Sequence, residues 1–309
     1  MTKKTLVGVQ FLFVAFGATV LVPLLIGIDP ATALFTAGVG TFLFHFITKG
    51  KVPAFLGSSF AFLGGYATIA PMLGEQQNIP NLEMLPYACF GVACAGLVYV
   101  ILAGLFKVFG AKKVMRFFPP IVTGPIIIAI GLNLSSSAIN NCSQNWWIAL
   151  AAIAIIWGKG MVKIIPILLG VIGSYLLAVI FDADVRANLV ANVSEAKWFA
   201  LPIKMEQTVF GLFASGNVDA HKLLTAVITI VPLSLATMVE HIGDVSAISS
   251  TCNRNYIEEP GLHRTLMGDG LATTLAALFG APANTTYGEN TGVLALSRIY
   301  DPRVIRIAA

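Results

Sequence analysis

Ten apolar runs, separated by short basic clusters, fill most of this chain. They cover residues 5–28, 31–48, 52–73, 85–109, 117–138, 146–158, 161–181, 223–250, 262–280 and 287–300. A helix that crosses a bilayer needs about 20 apolar residues, so the sixth and tenth runs are short for spans. Only 11% of the 309 residues are charged, whereas 57% are apolar. A soluble domain carries about 25% charged residues. Too few charges remain here to coat a water-facing surface, so an all-α polytopic membrane protein is expected. The first run follows Lys3 and Lys4 but is long and lacks a polar cleavage region, which reads as a span rather than a signal peptide.

The basic clusters predict an orientation. With the N-terminus in the cytoplasm, Lys49 and Lys51 fall inside, as do Lys107, Lys112, Lys113 and Arg116. So do Lys159 and Lys163, then Arg254, then Arg298, Arg303 and Arg306. The loops Glu75–Glu83 and Ile139–Gln144 carry no Lys or Arg and fall outside. That alternation obeys the positive-inside rule. The net charge of +4 thus serves topology and is not a nucleic-acid signal. Cys89, Cys94, Cys142 and Cys252 form no disulfide framework and no metal-ligand spacing; Cys89 and Cys94 are expected to pack within one span. The mixed-charge 182–222 connection is compatible with a surface helix or a hairpin.

Asn284-Thr285-Thr286-Tyr287-Gly288-Glu289-Asn290 is a polar patch between apolar Leu271–Ala281 and Thr291–Leu296. A charged group at the centre of a span costs about 2.5–3.5 kcal/mol or more. Glu289 therefore reads as part of a site, with a surface loop as the competing reading. Run three contains Pro53, Gly57, Gly64 and Gly65; Pro282 precedes run ten; run eight contains Glu240-His241-Ile242-Gly243-Asp244. Pro and Gly inside apolar runs predict broken helices whose freed backbone groups need a cavity or a ligand.

A weak internal repeat accompanies them. A shift of 230 residues puts Gln10 on Glu240, Asp29-Pro30 on Glu259-Pro260, and Gly38 and Gly40 on Gly268 and Gly270. After a one-residue gap, Pro53 falls on Pro282 and Phe60 on Glu289. Seven spans separate the copies, which inverts the second across the membrane. Paired broken elements at the interface of inverted repeats are the signature of a secondary transporter.

Runs three and ten are then expected to enter the midplane as extended chain and start half-helices. The amides around Phe60 and Gly288 donate, and Glu240 and Glu289 accept. This suits a flat ring bearing both N–H donors and carbonyl acceptors, with Phe60 and Tyr287 over its faces. Two carboxylates without a nearby Arg or Lys disfavour an anion. Glu240 and Asp244 share a helix face, with His241 about 100° away. Burial and mutual repulsion raise a carboxylate pKa, so Glu240, Asp244 and His241 are the proton-coupling candidates. The proton is the expected coupling ion, and no cofactor or metal is expected.

Blander readings stand beside these. His241 fits helix packing, Asp244 a cap or an ion pair, Asp269 packing between two glycines, and His45 an interfacial position. Asn284-Thr285-Thr286 matches a glycosylation sequon, but membrane depth argues against its use.

Five stretches resemble the nucleobase–ascorbate transporter (xanthine/uracil permease) family, and within it the bacterial uracil permeases. They are Phe16-Gly17-Ala18-Thr19-Val20-Leu21-Val22-Pro23, Lys49-Gly50-Lys51-Val52-Pro53, Gly57-Ser58-Ser59-Phe60-Ala61-Phe62, Glu240-His241-Ile242-Gly243 and Asn284 to Asn290. The family signature Glu-Asn-x-Gly-x-x-x-x-Thr-Arg appears as Glu289-Asn290-Thr291-Gly292 through Ser297-Arg298, with Ser for Thr.

The resemblance implies proton-coupled nucleobase uptake across the plasma membrane. It also implies fourteen segments in two inverted repeats of seven, divided between a core and a gate domain. On this basis residues 1–110 and 223–309 are core-domain segments, and 111–222 are gate segments with the long loop. Carried over by motif, Glu240 and Glu289 hold the base, the Phe60 and Gly288 amides bind its carbonyls, and Ala18 and Tyr287 line the pocket.

Three departures stand out. Gln10-Phe11 replaces the family's frequent Gln-His, and Asp244 stands where uracil permeases can carry a histidine. The chain also stops at Ala309, after about ten of the fourteen segments, so the residues alone are expected not to transport. The resemblance also implies that family members are often homodimers through the gate domain, an expectation for the full-length protein. The first reading is a proton–uracil symporter. A xanthine or other purine permease is the alternative within the family. The truncation makes a non-transporting binding or structural fragment a reading of the chain as given, though not of its gene. An intramembrane hydrolase built on Glu240, His241 and Asp244 is the remote alternative; it lacks a nucleophile motif and a metal-ligand set.

Overall fold

The computed structural model describes residues 3–74, 79–114, 142–157, 166–195, 201–288 and 290–309, with scattered positions between 116 and 140. Run five, 117–138, therefore lies outside the continuously described residues. The contacts form two units, one of residues 1–130 with 202–309 and one of 131–201.

In the larger unit, α1 (Lys3–Ile26) and α2 (Pro30–Ile47) are joined by a tight turn. Asp29 caps α2 by accepting from the Ala31 N–H, and Pro30 takes the first helical position, where no N–H is needed. Lys49 and Gly50 at positive φ then reverse the chain. It continues into β1 (Leu56–Ser58), a 3-10 turn at Phe60–Phe62, and α3 (Leu63–Ile69). The long helix α4 (Leu85–Phe109) follows.

The smaller unit holds α5 (Trp146–Ile156), α6 (Pro166–Phe181) and α7 (Ala183–Glu195). Helices α5 and α6 pack together, with Ile155 filling the notch at Gly173. Helix α7 shows that the 182–222 connection begins as a helix.

The larger unit resumes with α8 (Val209–Ala214), α9 (Ala220–Ile230), α10 (Leu233–Cys252) and α11 (Leu262–Leu278). It ends with β2 (Asn284–Thr286), α12 (Asn290–Ser297) and α13 (Pro302–Ala308). Run eight is thus two helices and not one. Pro232, which has no N–H to give, separates them as the cap residue of α10.

Small residues let the helices of this unit close up. Helix α4 crosses α11 where a β-carbon on Gly96 would come within 2.6 Å of the Gly270 carbonyl. Tyr99 covers Gly270, and Phe44 of α2 covers Gly268 on the opposite side of α11, about 200° around the helix. Such contacts drive association where lipid removes the hydrophobic incentive. Among the described residues, Val7–Ile26, Pro30–Ile47, Leu85–Phe109 and the bent Ala220–Cys252 are long and apolar enough to cross a membrane. Phe46 and Phe181 are more than four-fifths exposed, which suits a lipid-facing surface.

His45 is buried within the unit beneath the approach to β1, with Nε2 3.0 Å from the Ala54 carbonyl oxygen. The buried extended chain at Ala54 presents an unpaired carbonyl, and the imidazole satisfies it.

Candidate functional site

Run three and the Asn284–Thr286 stretch that leads into run ten meet as extended chain. β1 and β2 pair antiparallel, Leu56 with Thr286, Gly57 with Thr285 and Ser58 with Asn284. Beyond the paired residues the Ser59 N–H donates to the Ala283 carbonyl at 2.9 Å, and the Tyr287 N–H to the Phe55 carbonyl at 3.0 Å. The next residue on each chain is Phe60 or Gly288, where the 3-10 turn and α3, or α12, take over. A three-residue strand is too short to stand alone, so side chains from the flanking helices hold it.

Asn284 is fastened at both ends of its residue. Its Nδ2 donates to the Thr36 carbonyl of α2 at 3.1 Å, and its carbonyl accepts from Thr273 of α11 at 2.8 Å. Gly40 makes room for this amide, since a β-carbon there would lie 2.1 Å from Nδ2. Thr41 holds β1 by accepting from the Leu56 N–H at 3.0 Å. Tyr287 folds back across the strands. Its ring lies over Gly57, and its hydroxyl donates to the Ser58 carbonyl at 2.9 Å. Thr19 of α1 sits 3.1 Å from the same hydroxyl, next to buried Ala18.

Helix α10 packs against β2 and against the Phe60–Phe62 turn. Its motif residues divide by face. His241 is buried, Asp244 is half-buried and Glu240 is exposed. A β-carbon built on Gly288 would lie 2.5 Å from Asp244 Oδ1, so the carboxylate touches the backbone at the end of the ladder. The structure therefore brings Ala18, Phe60, Asp244, Tyr287 and Gly288 to one crossing, with Glu240 one turn before Asp244 on α10. Glu289 lies outside the described residues.

A cavity of about 290 Å³ is lined by Ala15, Thr19, Ala37, Gly38 and Phe55 among others. Its walls offer few polar groups, so it is a poor match for a ligand that needs several hydrogen bonds.

Asp269 was expected to be packing. It is fully buried and accepts from the Thr286 hydroxyl of β2 at 2.8 Å, while His241 Nδ1 lies 2.9 Å from the same hydroxyl. The signal was available: Asp269 is a carboxylate inside an apolar run, the same cost that singled out Glu289.

Residues 2–309 match the xanthine/uracil permease model, described as "Permease family". The chain belongs to that family. "Probable uracil permease" of Haemophilus influenzae is 40% identical, over 99% of this chain and 71% of that protein. "Uracil permease" of Bacillus subtilis is 38% identical, over 98% of this chain and 69% of that protein. The permease's fold is similar to "the transmembrane domain of a cyanobacterium bicarbonate transporter BicA". The TM-score is 0.68 at 15% identity, over 99% of this chain and 80% of that one. This xanthine/uracil permease is thus a multi-pass membrane protein of a transporter fold, and its relatives are permeases and not enzymes.

Proposed function

We propose that this permease carries uracil inward across the inner membrane together with a proton, with its N-terminus in the cytoplasm. The observation that carries the reading is the β1–β2 crossing. Its two strands give way at Phe60 and Gly288 beside the carboxylate-bearing helix α10. Uracil has two ring N–H groups and two carbonyls. Glu240 and Glu289 accept from the former, the Phe60 and Gly288 amides donate to the latter, and Ala18 and Tyr287 shape the wall. The names of the relatives support the base.

Asp244 is the first candidate for the proton. It touches the Gly288 backbone, so its charge acts directly on an amide that meets the ligand. The positions that the shift of 230 residues superposes favour an inverted repeat. Gly38 and Gly40 lie on α2, Gly268 and Gly270 on α11, and these two helices pack together. In this reading residues 1–110 and 223–309 form the core and 111–222 belong to the gate.

Uptake of labelled uracil into vesicles tests the proposal. An inward proton gradient should drive accumulation above the outside concentration, and a protonophore should abolish it. Accumulation that ignores the gradient would remove the proton, and accumulation of xanthine in preference to uracil would change the substrate.

A further inference from the structure

His241, Thr286 and Asp269 meet at the back of β2, from α10, β2 and α11. All three are almost fully buried. The Thr286 hydroxyl donates to Asp269 Oδ1 at 2.8 Å. A hydroxyl has one proton, so toward His241 Nδ1, 2.9 Å away, it acts as acceptor. That assigns the proton to Nδ1 while Asp269 is ionised. Asp269 Oδ2 lies 3.5 Å from the same nitrogen. Among the described residues His241 Nε2 and Asp269 Oδ2 make no other hydrogen bond, so Thr286 is the common tie.

Burying three polar side chains is costly unless they satisfy one another. Their arrangement has a geometric consequence. The hydrogen bonds at Asn284 hold β2 to α2 and α11, and Tyr287 holds it to β1. Thr286 ties it to α10, one residue before Tyr287 and two before Gly288. On α10 the tie is made by the residue after Glu240. Anchoring His241 inward turns Glu240 to the exposed side of the helix.

We propose that His241, Thr286 and Asp269 are a positioning triad for the ligand. They lock the rotation of α10 to the register of β2, so that Glu240 and Gly288 keep a fixed separation. None of the three touches the base. The proposal rests on the reading of the crossing as the nucleobase site, and its test has one arm that needs no ligand.

The test compares Thr286→Val, which keeps the shape without the hydroxyl, with Thr286→Ser, which keeps the hydroxyl. Uracil affinity is read by titration calorimetry, and backbone exchange of residues 284–288 by hydrogen–deuterium exchange without uracil. Thr286→Val should weaken uracil binding by about tenfold (about 1.4 kcal/mol) and speed exchange of β2 by about tenfold. Thr286→Ser should stay close to wild type in both. Wild-type exchange and affinity in Thr286→Val, or equal impairment in the two variants, would overturn the triad. If wild type itself binds no uracil but the exchange contrast holds, the triad stands as the lock between α10 and β2 and the nucleobase reading fails.

Discussion

Gly288 rests against the carboxylate of Asp244, so close that a β-carbon at Gly288 would lie 2.5 Å from Oδ1. One residue thus has no room for a side chain, and the other holds its charge against the end of the β1–β2 ladder. Gly288→Ala should therefore weaken uracil binding by about tenfold or more, a loss on the scale of an overpacked core position. In an Asp244→Ala background the same change should cost about threefold or less, because the clashing atom is gone. Titration calorimetry on the four proteins reads both numbers. Equal losses in the two backgrounds would place the effect of Gly288 elsewhere.

The Tyr287 hydroxyl gives its proton to the Ser58 carbonyl, buried between the strands. Tyr287→Phe leaves that carbonyl without its donor and should cost about 1–3 kcal/mol of stability, the penalty for an unsatisfied buried group. Thermal unfolding in detergent measures it. An unchanged midpoint would mean that the bond contributes nothing net.

Much of this arrangement was legible. The limits of α4 match the run 85–109, where Pro86 starts the helix and Gly110 ends it. The broken elements announced themselves through Pro53 and Gly57, and through Pro282, since an apolar run that cannot stay helical needs another way to bond its backbone. Pro232 carried the same information, and it breaks run eight into α9 and α10 while Ala220–Cys252 together stays long and apolar enough for one span. The inward face of α10, by contrast, was hidden. In a membrane helix apolar residues occupy every face, so periodicity does not say whether His241 or Glu240 turns toward the protein. Its partners Thr286 and Asp269 are 45 and 28 residues away in sequence, and spacing carries no signal for such a meeting.

Asp29 lies in the turn between α1 and α2, outside the spans. Burial alone would raise its pKa, but the Ala31 N–H and the Lys204 ammonium, 3.0 Å away, outweigh it and hold the carboxyl below its ordinary value of 3.8. A lowered folded pKa means that the ionised form stabilises the fold. That stabilisation is complete above the unfolded value and disappears as pH falls through the folded one. Asp29→Asn keeps a capping oxygen but loses the charge. It should be about 0.5 kcal/mol less stable than wild type at neutral pH, the scale of a partly exposed pair. The gap should close below pH 3.8. A gap that persists or widens in acid would contradict the sign.

The central claim is that uracil binds at the crossing and that the carboxylate of Glu240 holds it. Equilibrium binding of labelled uracil to the purified permease, wild type and Glu240→Gln, tests it most directly. The account predicts saturable binding that excess uracil displaces and xanthine does not. It predicts an affinity about tenfold or more lower in Glu240→Gln, since a hydrogen bond to a charged acceptor contributes about 1.5–3 kcal/mol. Saturable binding of equal affinity in the two proteins would contradict it.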